Sequence, residues 1–208
     1  MSMKAEIILK TDFPELQLVK KGKVRDIYDV GEYYLIVSTD RISAFDVILD
    51  QGIPNKGKIL NQLSKFWFDY TKHIIPNHCI STNVDDFPKI CSRYKEQLFS
   101  RSMLVKKIEI IPIECIVRGY VSGSAWNDYQ KNGIISGVKQ PLGLRESEKL
   151  TEPIFTPSTK AEIGMHDENI SIEQAMRGLQ LSADFSFKIK DNEITIVRSA
   201  QKLTNKNY

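Results

Sequence analysis

Four segments bring together residue types that can do chemistry. Lys20-Lys21-Gly22-Lys23-Val24-Arg25 sets four cations around one glycine. The glycine lets backbone approach an anion and the cations neutralise it, which is one way to build a polyphosphate site. A nucleic-acid patch and a solvated basic turn are the other readings. No G-x-x-x-x-G-K-[ST] occurs, so this is not a Walker A loop. Ser38-Thr39-Asp40-Arg41-Ile42-Ser43-Ala44-Phe45-Asp46 crowds polar residues at a strand end. Read alone, it is a turn in which Asp40 and Ser43 bond the local backbone. Arg118-Gly119-Tyr120-Val121-Ser122-Gly123-Ser124 places a guanidinium, hydroxyls and two glycines ahead of a helix start. Those are the ingredients of an anion site, or of a capped loop with an exposed arginine. Thr156-Pro157-Ser158-Thr159-Lys160, followed by His166-Asp167-Glu168-Asn169, is the richest polar cluster. It suggests metal or acid–base chemistry, although adjacent residues cannot all face one ion on a regular backbone; a loop histidine without a role is the alternative.

The elements that must hold these residues follow from periodicity. Val24 to Val30 and Tyr33 to Thr39 are β-rich and flank Gly31-Glu32, which reads as a two-residue hairpin loop. Val47 to Ile53 is a further apolar stretch, ended by Pro54. Ile59, Leu60, Leu63, Trp67, Tyr70 and Ile74 recur at helical spacing, which predicts an amphipathic helix over about 58–74 packed against the sheet. Met103 to Val121 is strand-like and split by Pro112. Alternation over 113–118 puts Glu114, Ile116 and Arg118 on one face, either a solvated edge, an ion pair or a functional face. Ser124 is expected to cap a short helix to Asn132, with Gly133 closing it. Residues 137–171 are loop-rich, and a long loop in a compact domain is usually functional or disordered.

Composition narrows the classes. The 208 residues are 41% hydrophobic and 26% charged, which excludes collagen, coiled coil and wholesale disorder. No apolar run reaches the roughly 20 residues a membrane helix needs. The N-terminus lacks the apolar block of a signal peptide, and Cys79, Cys91 and Cys115 form no C-x-x-C pair, so reduced thiols and a cytoplasmic location are expected. Net charge is +3, and residues 188–208 alone hold five basic against two acidic side chains, leaving the remainder balanced. A balanced body argues against a dedicated nucleic-acid binder.

In order and spacing, G-K-V-R-D, T-D-R-I-S-A-F-D, E-C-I-V-R-G-Y-V-S-G-S and H-D-E-N-I-S resemble the phosphoribosylaminoimidazole-succinocarboxamide synthase (SAICAR synthetase) family. The resemblance covers about the first 170 residues. It implies an α+β fold: an N-terminal antiparallel sheet with a helix over 1–109 covers the nucleotide. A second α/β part over 110–208 binds substrate, in a kinase-like or ATP-grasp-like nucleotide cleft. It implies an ATP- and Mg2+-dependent ligase joining CAIR, an aminoimidazole ribonucleotide carboxylate, to L-aspartate through an acyl phosphate. The partners are then small molecules, with no nucleic acid or membrane, and the protein a monomer or small homo-oligomer. By resemblance, Gly22, Lys23 and Arg25 cover the phosphates, and Lys106 and Glu114 belong to the nucleotide rim. Asp40, Arg41, Ser43 and Asp46 floor the cleft near the substrates. Arg118 and Ser124 hold the CAIR phosphate, and Lys160, His166 and Asp167 lie in the loop near aspartate. Lys23, Arg118, Lys160 and Asp167 are the expected catalytic set.

Beyond Ser171 the sequence departs from the family's motifs. Ala183-Asp184 follows within about a dozen residues, so most of a long helix is expected to be missing and the C-terminal end shortened. Lys188 and Arg198-Ser199 stand where acidic residues are expected, and no metal ligands are identified. An active ligase and a catalytically impaired relic or truncated form of the same family are the two readings that follow.

Overall fold

Short β-branched and aromatic runs joined by tight turns build the N-terminal half. The computed structural model describes residues 6–44, 47–159, 170–180, 185–190 and 193–198. The chain falls into two compact units, Met1–Glu109 and Ile110–Tyr208.

In the first unit, β1 (Gln17–Lys21), β2 (Arg25–Asp29) and β3 (Tyr33–Ser38) are followed by the pair β4 (Arg41–Ala44) and β5 (Val47–Gly52). Helix α1 (Lys56–Thr71), β6 (Cys79–Ser81), two 3-10 turns, α2 (Lys95–Leu98) and β7 (Ser102–Lys106) complete it. The main sheet is antiparallel in the order β1-β2-β3-β7-β6. The expected β2–β3 hairpin forms, with Asp29 opposite Tyr34 and Gly31 at φ 94° in its loop. Strand β1 has no counterpart among the sequence expectations. It is exposed throughout and carries Lys20 and Lys21, the charged signature of a sheet edge, so it shows no buried alternation. Alternate residues of β2 and β3, Tyr28, Leu35 and Val37, bury against Phe13, Leu16, Leu98 and Leu104. Each such side chain contributes about 1.5–3 kcal/mol. Cys91 lies in this core, and burial pushes its thiol up to about 11, which keeps it inert.

Helix α1 forms close to its predicted span, but its apolar stripe does not pack on the sheet. Ile59, Leu63, Phe66, Trp67, Tyr70 and Ile74 are all at least half exposed. The residues that α1 buries are Gly57 and Asn61. The Asn61 amide donates to the carbonyls of Ser100 and Ser102, both at 3.1 Å. Gly57 lies so close to the Ser38 carbonyl that no side chain fits. Close backbone approach and two hydrogen bonds, rather than hydrophobic area, seat this helix.

In the second unit, β8 (Ile113–Glu114) and β9 (Val117–Tyr120) precede α3 (Ser124–Asn132), β10 (Ile134–Ile135), β11 (Val138–Lys139), β12 (Lys149–Phe155) and β13 (Ser158–Thr159). Then come α4 (Ile172–Gln180), β14 (Phe185–Lys190) and β15 (Glu193–Arg198). Strand β9 pairs with β12 and β8 with β13, all antiparallel. Residues 113–118 are therefore not one strand, and Glu114 and Arg118 do not share a continuous pleated face. The opposing segment has Thr156-Pro157 between β12 and β13, and proline supplies no N–H to continue the ladder. Val121, Ala125, Ile135 and Leu150 form the buried core here. Between Ser171 and Asp184, where most of a long helix is expected to be missing, stands the nine-residue α4, and the paired strands β14 and β15 follow that stretch.

Candidate functional site

The cation cluster sits at the tip of the β1–β2 hairpin, directly ahead of the β2–β3 hairpin, with Lys21 opposite Asp26. The Gly22 N–H donates to the Arg25 carbonyl at 2.7 Å. A Cβ on Gly22 would lie 2.9 Å from that oxygen, so the closure needs glycine. Lys20, Lys21 and Arg25 are exposed around it. The turn is held from beneath by Arg41, which is 5% exposed. Its Nε donates to the Lys23 carbonyl at 2.9 Å, its Nη2 to the Gly22 carbonyl at 2.9 Å and its Nη1 to the Leu9 carbonyl at 2.9 Å. The same Nη atoms form a two-pronged pair with Asp26, at 2.6 and 3.1 Å. Asp26, 1% exposed, also accepts from the Thr11 hydroxyl at 2.7 Å.

Asp40 is wholly buried. One carboxylate oxygen accepts from the Gly57 N–H at 2.8 Å and the other from the Ile8 N–H at 2.8 Å. Arg101, 1% exposed, faces both oxygens at 3.2 Å. Asn55, which precedes α1, is left-handed and gives no side-chain cap, so Asp40 supplies from across the fold the anion that α1's N-terminus needs. Burial alone would raise the Asp40 carboxyl; the Ile8 N–H, Arg101 and the Gly57 N–H together outweigh it and hold the group below its ordinary value. Asp40 and Arg41 thus spend their side chains on protein partners. Any part they play toward substrates is exerted through the segments they hold. Ser43 is half-buried in β4, opposite Ile48 of β5.

Arg118 and Ser124 are brought together as their spacing suggests. Arg118 Nη2 donates to the Ser124 hydroxyl at 2.9 Å, and Nε to the Thr156 hydroxyl at 2.9 Å. Thr156 in turn donates to the Ile116 carbonyl at 3.3 Å. Ser124 opens α3 instead of capping it; Gly123, at φ 59°, holds the cap position. Gly133 closes the helix in the left-handed conformation, as predicted. Thr156, 2% exposed, is the partner that motif reading did not single out, although the polar cluster containing it was legible. A half-buried guanidinium fixed by two hydroxyls beside a helix start can receive a phosphate dianion.

Lys106 is the exposed last residue of β7, and Glu114 is half-buried in β8 opposite Ser158. Asp46, Lys160, His166 and Asp167 lie outside the described residues. Among the described residues, no group of three or more His, Cys, Asp or Glu is placed to hold a metal ion.

Comparison with known proteins extends these observations. The family model described as SAICAR synthetase matches residues 18–207, well past Ser171, where the motif resemblance ends. The phosphoribosylaminoimidazole-succinocarboxamide synthase of Geobacter metallireducens is 57% identical over 201 residues, covering 97% of this chain and 67% of that protein. The synthase of Syntrophotalea carbinolica is 62% identical over 169 residues, 81% of this chain and 57% of that one. The chain thus spans roughly two thirds or less of these relatives' length. The solved SAICAR synthase of Saccharomyces cerevisiae in complex with SAICAR superposes with a TM-score of 0.73 at 42% identity, covering 93% of this chain and 76% of that one. With the α+β fold, the glycine turn and the Arg118–Ser124 pair in place, this likeness shows that the chain belongs to the SAICAR synthetase family of ligases.

Proposed function

We propose that the protein joins CAIR and L-aspartate to form SAICAR in purine biosynthesis, with ATP converted to ADP and phosphate. The observation that carries this reading is the 57% identity, across 97% of the chain, to a synthase named for that product. The yeast relative was solved with SAICAR bound. Likeness running over residues 18–207 favours the ligase over a catalytically impaired relic.

In this reaction a CAIR carboxylate oxygen attacks the γ-phosphorus and ADP leaves. The aspartate amine then attacks the acyl carbon, phosphate departs and the amine loses a proton. The Gly22–Arg25 turn covers the ATP phosphates, and Lys23 and Arg25 offset their charge. Arg118, aimed by Thr156 and Ser124, anchors the CAIR phosphate. Lys106 and Glu114 belong to the nucleotide rim, Ser43 and Asp46 to the substrate floor, and Lys160, His166 and Asp167 to the aspartate side, on the family resemblance. Mg2+ would spread the phosphoryl charge when bound. The described residues do not offer a carboxylate set that fits it. Three free cysteines accord with a cytoplasmic location, which belongs to the same proposal, as does a monomeric or small homo-oligomeric state. Among the described residues, no helix is long and apolar enough to cross a membrane.

A coupled ADP-release assay with ATP, Mg2+, CAIR and aspartate should give turnover comparable to the Geobacter relative. Near-zero turnover with measurable ATP binding would return the reading to the impaired relic. Lys23→Ala should weaken ATP binding by about 1.5–3 kcal/mol, the scale of a charge-assisted hydrogen bond; calorimetric titration reads it. Arg118→Lys should lose the protection that CAIR gives against heat, because an ammonium cannot reproduce the planar fork that engages Thr156, Ser124 and a phosphate together. Equal protection of variant and wild type in a thermal melt with CAIR would remove Arg118 from the phosphate site.

A further inference from the structure

Arg41 has five N–H donors, and all five are placed: three on the carbonyls of Leu9, Gly22 and Lys23, two on Asp26. Two of those carbonyls are consecutive and lie in the glycine turn. A third, that of Val24, is taken from the same body of the protein by the Thr39 N–H at 3.0 Å and the Thr39 hydroxyl at 2.8 Å. No peptide bond in the described chain is cis. In a planar trans peptide, the N–H points opposite to the carbonyl of the same unit. Turning the Gly22 carbonyl down onto Arg41 therefore turns the Lys23 N–H up. Turning the Lys23 carbonyl down likewise turns the Val24 N–H up. The guanidinium thus dictates which way two successive backbone donors face. Successive N–H groups aimed to one side make an anion-binding concavity.

We propose that Arg41 is a positioning residue for the nucleotide phosphates: it never touches them, but holds the Gly22–Val24 turn with its backbone donors facing them. This rests on the reading of the turn as the phosphate-covering segment. Asp26 is the counter-charge that keeps the buried guanidinium in register, since a two-pronged carboxylate fixes the plane of the fork and leaves Nε and one N–H of Nη2 aimed at the turn. Lysine could keep the charge pairing with Asp26, but its point-like head cannot reach three separated carbonyls in one plane.

The test is calorimetric titration of wild type and Arg41→Lys with ATP, with inorganic tripolyphosphate and with CAIR, beside thermal melts of each. In Arg41→Lys, affinity for ATP and for tripolyphosphate is expected to fall about tenfold, with CAIR affinity within about twofold of wild type. Loss on tripolyphosphate places the defect at the phosphates. Asp26→Asn, which loosens the same guanidinium without removing it, should show the same pattern more weakly, and it serves as the test if Arg41→Lys does not fold. Unchanged ATP affinity in a folded variant, or equal loss of ATP and CAIR, overturns the proposal. If wild type itself binds neither ATP nor tripolyphosphate, the reading of the turn fails first, and that outcome is told apart by the wild-type titration alone.

Discussion

Asp40→Ala is expected to destabilise the N-terminal unit by about 3–5 kcal/mol, the cost of breaking a buried ion pair and leaving one charge uncompensated. Arg101 would be left in the core with its main acceptor gone, and its Nε already makes no hydrogen bond among the described residues. The N–H groups of Ile8 and Gly57 would lose their acceptor as well. The loss should depend on pH with a defined sign. The folded Asp40 carboxyl sits below its ordinary value, so the folded state favours the ionised form. Its stabilisation is fully present above the unfolded carboxylate value of about 3.9, and is lost as pH falls through the lower folded value. Urea unfolding of wild type and variant from pH 7 to 2.5 should show a gap that is constant above about pH 5 and closes on acidification. A gap of the same size at the acid end would mean that Asp40 acts through shape and not through charge.

Gly57→Ala should cost about 3 kcal/mol, the upper end for overpacking a close-packed site. Helix propensity predicts the opposite, since alanine is favoured over glycine by about 1 kcal/mol inside a helix. A Cβ at this position would collide with the Ser38 carbonyl oxygen and meet Arg101 Nη1 at 2.8 Å. Neither can retreat, because Ser38 belongs to β3 and Arg101 is pinned to Asp40. The variant should melt lower than wild type, with α1 lifted from the sheet. A raised Tm would show that the helix tolerates a larger gap and that Asn61 alone seats it. Because Gly57 and Asp40 share a hydrogen bond, the double variant should lose less than the sum of the two single losses.

The β2–β3 hairpin was legible because its determinants are local: alternating apolar residues on either side of Gly31, which takes the positive φ that its loop demands. The pairing of Arg118 with Ser124 was legible for the same reason, since six residues spanning a strand end and a helix start leave little freedom in where they meet. Helix α1 was legible as a helix but not in its orientation. A period of 3.6 says which residues share a face, whereas what lies against each face is set by chain far away. The face that packs here is the one with a glycine and an asparagine, because β7 and the turn before it present carbonyls at 102 and 100.

The motifs around Gly22, Asp40, Arg118 and His166, taken in their order and spacing, gave the family by resemblance, and with it the α+β class and the segments that carry chemistry; read singly, only the Gly22 and Arg118 runs have the residue types of an anion site. Only the tertiary structure decided which of those side chains stay at the surface and which are buried to hold it. Asp40 meets Arg101, 61 positions away, and Arg41 meets Asp26 and Gly22, 15 and 19 positions away. A charged residue in a motif reads the same in sequence whether its partner is a ligand or another residue. Burial separates the two cases, because a charge taken out of water must be matched within the protein, and Asp26, Arg41, Asp40 and Arg101 are matched to one another.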